Sequence, residues 1–131
     1  MAEHREVTVT PDRYTTYRYA GASGDFNPIH LDDEFARSVD LPGRILHGLW
    51  TMAQVARVAG ESAGDPLALR SLSVQFRGTG VPEREITITS KPSSNGVVDC
   101  EATQDGNKLV RRGKAVLQVP FGRPVDSGGG S

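Results

Sequence analysis

The sequence predicts a single α+β domain, one long central helix with an antiparallel sheet of about five strands. Three observations carry that prediction. From Leu49 to about Glu61 nearly every residue is apolar or small, apart from a stripe of Trp50, Gln54, Arg57 and Glu61 at helical spacing. From Ser71 onward, apolar and polar residues alternate in short runs, the period of half-buried strands. Asn95-Gly96 and Asp105-Gly106-Asn107 interrupt those runs as tight turns, which makes successive strands antiparallel.

The elements follow in order. Val7-Thr8-Val9 alternates as a short strand. Thr10-Pro11-Asp12 reads as a helix start, with Thr as N-cap, Pro at the first helical position and Asp in the first turn. That helix runs to about Ala20 or Ala22, with Tyr14 and Tyr17 as packing residues. Asn27-Pro28 stops helix formation, because the residue before Pro avoids the α region. Asp32-Asp33-Glu34 then places acid at the start of a short helix from Asp33 to about Val39, where negative charge suits the dipole; capping accounts for these carboxylates better than metal binding. Leu41-Pro42-Gly43-Arg44 is a turn. The central helix is expected to be buried over most of its circumference, with Ala53, Ala56 and Ala59 allowing close approach to the sheet and Gly60 and Gly64 marking its end. The strands are Ser71 to Arg77 with Leu72, Val74 and Phe76 inward, Glu85 to Ser90 with Ile86 and Ile88 inward, Val97 to Thr103, and Lys108 to Val119. Ser93-Ser94-Asn95-Gly96 forms the turn between the second and third.

The 131 residues suffice for one core, placed at residues 1–119. Residues 120–131, rich in Gly, Ser and Pro, read as a flexible tail. A net charge of -1 gives no electrostatic case for nucleic acid or an anionic membrane. Cys100 is the single cysteine, so no intrachain disulfide forms. No signal-like apolar run follows the first residues, and Ile45 to Gly60 is too short and too polar to span a bilayer; a cytoplasmic protein is expected.

Chemistry concentrates in Tyr19-Ala20-Gly21-Ala22-Ser23-Gly24-Asp25-Phe26-Asn27-Pro28-Ile29-His30. Asp25 and His30 are the chain's best acid/base pair, five residues apart on a bent loop that Gly24 and Pro28 shape. Taken alone, an N-capping Asp and a core His would be the default explanation of these two residues. The second site element is His47-Gly48, where the central helix begins; a structural hydrogen bond for His47 and a tight helix entry for Gly48 are the competing explanations.

This stretch, followed by Asp32 and Ala36, resembles the signature of the MaoC-like dehydratases, which include the (R)-specific enoyl-CoA hydratases (hydratase 2) and the β-hydroxyacyl-acyl-carrier-protein dehydratase subunits. Leu46-His47-Gly48-Leu49-Trp50-Thr51-Met52 resembles the family's helix start, and the similarity extends over roughly residues 6 to 119. The resemblance implies a hot-dog fold, an antiparallel sheet wrapped around one long helix. It implies a homodimer, or a heterodimer with a related hot-dog subunit, and an enoyl or β-hydroxyacyl thioester of CoA or acyl carrier protein as substrate. Asp25 and His30 would be the catalytic pair and Asn27 would support their loop. Two positions depart from the pattern: Val81-Pro82-Glu83-Arg84 replaces a frequent Pro-Gly-Asp turn, and Trp50 stands where a smaller apolar residue is common.

Interconverting an enoyl and a β-hydroxyacyl thioester requires moving a proton at Cα and water at Cβ. Neither a metal nor an organic cofactor is needed if the thioester oxygen is polarised. The expected donor to that oxygen is the backbone N–H of Gly48 or Leu49, at the positive end of the central helix, with His47 beside them in the substrate site. Burial of Asp25 beside the acyl chain would make it a better base. Arg44, Arg77, Arg84, Arg111 and Arg112 are candidates for CoA phosphates or an acidic carrier protein, against the plainer reading of solvated surface charge. Two further readings keep the fold: a hot-dog thioesterase, and a non-catalytic or obligate partner subunit of a dehydratase complex.

Overall fold

The computed structural model describes residues 2–118. The chain forms β1 (Arg5–Val9), α1 (Thr15–Ser23), α2 (Asp33–Ser38), α3 (Gly48–Ser62), β2 (Leu69–Phe76), β3 (Ile86–Ser94), β4 (Val97–Gln104) and β5 (Asn107–Leu117), with single 3-10 turns at Pro28–His30 and Pro66–Ala68. The strands make one antiparallel sheet in the order β1-β3-β4-β5-β2. The sheet wraps α3, so the α+β arrangement with one long helix and five strands is as expected.

The core lies between α3 and the concave face of the sheet. Val55, Val58 and Ala59 of α3 are fully buried among Ile86, Ile88 and Val98 of the strands. Side chains of this size contribute about 1.5–3 kcal/mol each when removed from water. Register follows from the alternation: Ile86 and Ile88 pair with Val9 and Val7, so β1 and β3 present their apolar residues to the same face. Asp105 and Gly106 both adopt the left-handed conformation, at φ 51° and 79°, which is what a two-residue hairpin turn requires.

Several boundaries and orientations differ from expectation. α1 begins at Thr15, not near Thr10-Pro11. Asp12 still acts as a cap, but from outside the helix: its carboxylate accepts from the Tyr14 amide at 2.8 Å and pairs with Arg18 at 2.9 Å. Tyr14 and Tyr17 are exposed instead of packed; Tyr17 donates its hydroxyl to the Leu31 carbonyl and lies under the Arg44 guanidinium. α3 is buried or half-buried over most of its circumference, as expected, and only Gly48, Leu49, Ala53 and Arg57 are exposed, so Ala53 faces outward instead of approaching the sheet. The Trp50, Gln54, Arg57, Glu61 stripe is real, and Arg57 donates to both Gln54 and Glu61. Phe76 is half exposed at the end of the edge strand β2, although its ring lies on the α3 side, over Gly48; the pairing of β2 with β5 shifts between Ser73 and Gln75, with the extra residue on β5. β3 continues through Ser93 and Ser94, so the turn is confined to Asn95-Gly96. Val119 and the predicted tail lie outside the described residues. No helix among the described residues is long and apolar enough to cross a membrane.

Candidate active site

The site is built where the segment between α1 and α2 folds over the start of α3. α1 ends on Gly24, whose φ of 80° lets its amide return to the Ala20 carbonyl and turns the chain sharply. A ladder of short-range bonds then sets each residue in turn. The Ser23 hydroxyl accepts from the Asp25 amide, Asp25 Oδ1 from the Asn27 amide at 3.2 Å, and Asn27 Oδ1 from the Ile29 amide at 3.1 Å. Asn27 is thus the N-cap of the 3-10 turn that begins at Pro28 and ends at His30. Ser, Asp and Asn occur here because their short polar side chains bond the backbone two residues on.

The 3-10 turn delivers His30 into the interior. Its Nδ1 lies 2.8 Å from the Ile45 carbonyl, and the Ile45 amide bonds the Ile29 carbonyl at 3.0 Å, tying the segment to the approach to α3. A carbonyl only accepts, so Nδ1 carries the proton and the Nε2 of neutral His30 presents a lone pair. That Nε2 is 3.8 Å from Asp25 Oδ2. The separation is too long for a hydrogen bond, and both groups are acceptors. A single water between them would satisfy both, having two protons to donate. The Asp25 side chain is 52% exposed and that of His30 9%. In the chain by itself Asp25 therefore lies at an open rim, and the expected burial of Asp25 is not found.

His47 lies directly against this pair. Its ring stacks on His30 with centroids 3.8 Å apart and planes inclined 20°, and Tyr19 packs edge-on from the other side at 4.8 Å. His47 Nε2 donates to the backbone carbonyl of Asp25 at 3.0 Å, which fixes the loop to the α3 N-cap. Its Nδ1 is buried with no hydrogen-bond partner. Burial holds the His47 imidazole below its usual pKa, and the neighbouring His30 acts in the same direction. His47 is the neutral, positioning member of the stack.

At the start of α3 the amides of Trp50 and Thr51 both bond the His47 carbonyl. Those of Gly48 and Leu49 have no acceptor among the described residues and carry the positive end of the helix dipole. A Cβ at Gly48 would come within 3.2 Å of the Phe76 ring, so glycine keeps this approach open. Beside the site, Tyr19, Ala22, Pro11 and Trp50 line part of a cavity of about 400 Å³.

The structure thus brings together Asp25, His30, His47, Gly48 and Leu49, with Asn27 shaping the loop behind them. Asp25, His30 and His47 each offer one potential ligand atom within 4.8 Å of the others, so a divalent transition metal has a conceivable donor set here. A metal bound there would compete for the lone pair that faces the Asp25 carboxylate.

Two supporting residues escaped the sequence reading. Tyr19 lay within the quoted stretch without a role. Gln104 is buried at the end of β4 and holds the β2–β3 connection: Oε1 accepts from the Val81 amide, and Nε2 donates to the Val81 and Arg84 carbonyls. That connection in turn accepts the Leu46 amide at the Gly80 carbonyl, one residue before His47. A polar residue continuing the inward alternation of Val98, Cys100 and Ala102 was the available signal.

The sequence matches the family described as MaoC like domain over residues 1–113. The chain belongs to that family. This MaoC-like chain is 42% identical to the fatty acid synthase subunit beta of Aspergillus oryzae over 86% of its own length but 6% of that protein. It is 33% identical to the peroxisomal enoyl-CoA hydratase 2 of Arabidopsis thaliana, covering 82% of the chain and 35% of the relative. Among solved structures, a MaoC-like dehydratase from Phytophthora capsici superimposes with a TM-score of 0.81 at 27% identity, over 87% of this chain and 40% of that one. An (R)-hydratase from A. caviae shares the fold with a TM-score of 0.75 at 20% identity, covering 91% and 96% of the two chains. The chain spans well under half the length of these curated relatives. The fold is the hot-dog fold that the resemblance implies.

Proposed function

We propose that this MaoC-like domain is an (R)-specific hydratase/dehydratase, interconverting trans-2-enoyl and (R)-3-hydroxyacyl thioesters through one activated water. The observation that carries the reading is the 3.8 Å gap between His30 Nε2 and Asp25 Oδ2, two acceptors facing each other, with the His30 tautomer set by Ile45. In hydration Asp25 accepts a proton from that water and the oxygen bonds to Cβ. The C=C pair moves toward the thioester carbonyl, and the proton returns to Cα through His30. One water then supplies both the hydroxyl and the hydrogen, on the same face of the double bond. In dehydration each transfer runs in reverse.

The charge that accumulates on the thioester oxygen is met by the amides of Gly48 and Leu49, which have no other acceptor. His47 holds the loop at the Asp25 carbonyl and stays neutral, so its charge does not oppose proton transfer to His30. The relatives named for enoyl-CoA hydratase 2 and for fatty acid synthase subunits support a thioester of CoA or acyl carrier protein as substrate. The half-exposed Asp25 and the exposed Leu49 and Phe76 support a second hot-dog unit, a copy of this chain or a related subunit, against the open side of the site. A cytoplasmic location is part of the same reading.

The test is hydration of crotonyl-CoA, followed by loss of the ultraviolet absorbance of the conjugated enoyl thioester, with the product's configuration determined. Turnover to the (R)-3-hydroxy product, unaffected by a chelator, is expected. Release of free CoA without loss of conjugation would establish a thioesterase instead. Absence of any turnover, alone and with a related hot-dog subunit, would overturn the reading.

A further inference from the structure

The polar atoms that face one another across the site are two imidazoles and a carboxylate, and each contributes one atom within 4.8 Å of the other two. With bonds of about 2.0–2.2 Å, the ligand atoms of a tetrahedral zinc centre stand roughly 3.4 Å apart. His30 Nε2 and Asp25 Oδ2, at 3.8 Å, are already close to that separation, and the half-exposed Asp25 side chain has room to close the remainder. Among the described residues Asp25 has no Lys or Arg partner, so its charge is not already spent on a fixed cation. Its exposure also gives an ion a path from solvent to the buried histidines.

The outer contacts of both rings suit a metal as well. A metal-bound imidazole ordinarily gives its other N–H to a carbonyl or carboxylate, which fixes the ring and its tautomer. His30 does this with the Ile45 carbonyl at 2.8 Å, and His47 with the Asp25 carbonyl at 3.0 Å. His47 Nδ1 is buried and has no hydrogen-bond partner, so each imidazole carries one uncommitted lone pair. Both rings are buried and stacked, so little side-chain freedom is lost when they take up a ligand. The rings are inclined by only 20°, so their lone pairs run side by side, and His47 has to turn within the stack before all three bonds can form. Two imidazoles and one carboxylate suit Zn²⁺ and its neighbours such as Co²⁺ and Ni²⁺; Mg²⁺ and Ca²⁺ favour oxygen ligands.

We propose that Asp25, His30 and His47 form an inhibitory site for Zn²⁺ or a similar divalent transition metal, entered from the Asp25 side. The ion takes the His30 Nε2 lone pair and the Asp25 carboxylate, the two acceptors between which the reacting water is held. A water on the ion's remaining position does not replace that water, because both groups that would carry its protons are bound to the metal. The binding of the metal stands apart from the hydratase reading; its inhibitory effect rests on that reading.

The test titrates the full chain with Zn²⁺ alone, by calorimetry, so that binding is read without turnover. One equivalent should bind with a Kd of about 10 µM or tighter. Asp25→Asn, whose amide oxygen can still accept from the Asn27 N–H, should bind at least about tenfold more weakly. His4→Gln, which removes the one histidine outside the cluster, should bind like the intact chain. Co²⁺ in place of Zn²⁺ should give the visible absorption of a low-coordinate site, lost in Asp25→Asn. In crotonyl-CoA hydration one equivalent of Zn²⁺ should abolish turnover, and EDTA should restore it. Weaker binding by the intact chain, or equal binding by Asp25→Asn, overturns the inference. So does full turnover by the zinc-loaded chain, which would make the ion a bystander. Zinc binding that depends on Asp25 in a chain without hydratase activity supports the site and rejects only the hydratase reading.

Discussion

The imidazoles of His30 and His47 are stacked 3.8 Å apart, and each has one nitrogen fixed on a backbone carbonyl, His30 on Ile45 and His47 on Asp25. These bonds join the two halves of the site through main chain, so the pair is positioned by the fold more than by side-chain contact. They also assign tautomers: His30 turns a lone pair toward Asp25, and His47 keeps a buried, unpartnered Nδ1.

His47 should give the domain a characteristic pH dependence. Its folded pKa lies below the ordinary value of ~6.5, so on acidification the unfolded chain takes up a proton that the native state resists. Its contribution to stability is therefore fully present above about pH 6.5 and falls as pH drops from there toward the lowered folded value. Urea unfolding across about pH 5 to 8 should show this loss in the wild type, with a shallower slope in His47→Asn. An unchanged slope in the variant would refute the assignment.

Asp25→Asn should lower turnover by at least about 10²-fold with little effect on thermal stability. The side chain is half exposed, and the amide oxygen of Asn can still accept from the Asn27 N–H. His30→Ala should lose activity to a similar degree and also destabilise by about 1–3 kcal/mol, because the buried Ile45 carbonyl loses its donor. Steady-state kinetics alongside thermal unfolding distinguishes the two; near-wild-type turnover of Asp25→Asn contradicts its proposed role.

Gln104→Leu should destabilise the domain by about 1–3 kcal/mol. It removes three hydrogen bonds to Val81 and Arg84 and releases the connection that braces Leu46. Amide hydrogen exchange should accelerate first at Val81 and then at Leu46. Acceleration spread evenly over the sheet would instead indicate a general loss of stability.

Gly113→Ala should cost about 1–3 kcal/mol although the residue lies within a strand. A Cβ there would come within 2.7 Å of the Cys100 carbonyl oxygen, where the register of β4 and β5 shifts. Gly21→Ala, with nothing within 4 Å of its Cβ on α1, is the matched control and should be neutral or slightly stabilising. Denaturant midpoints of the two variants provide the comparison.

Much of the fold was legible in the residues. Ile86, Ile88, Val98 and Ala102 alternate, and burial follows that alternation because a strand has only two faces. Asn95-Gly96 and Asp105-Gly106 marked their turns because few residues tolerate the left-handed backbone found at Gly96 and at both Asp105 and Gly106. The start of α1 was less legible: Thr10-Pro11-Asp12 has the composition of a helix entry, but Asp12 is committed to Arg18 and to the Tyr14 amide, and the helix waits until Thr15. Phe76 keeps the inward side, over Gly48, but stays half exposed because it ends the edge strand, which a pattern of period two does not reveal.

By itself the sequence determined the α+β class, the strand and turn order, the membership that the Gly24-Asp25-Phe26-Asn27-Pro28-Ile29-His30 run announces, and the identity of the residues with chemistry to offer. These depend on local periodicity, on turn preferences and on residue types. The tertiary structure alone decided how those residues meet: the His30–His47 stack, the tautomers set by the Ile45 and Asp25 carbonyls, the open face of Asp25, and the gathering of its carboxylate with both imidazoles. Such relations join residues far apart in the chain, and no local preference encodes a distance between segments that only packing brings together.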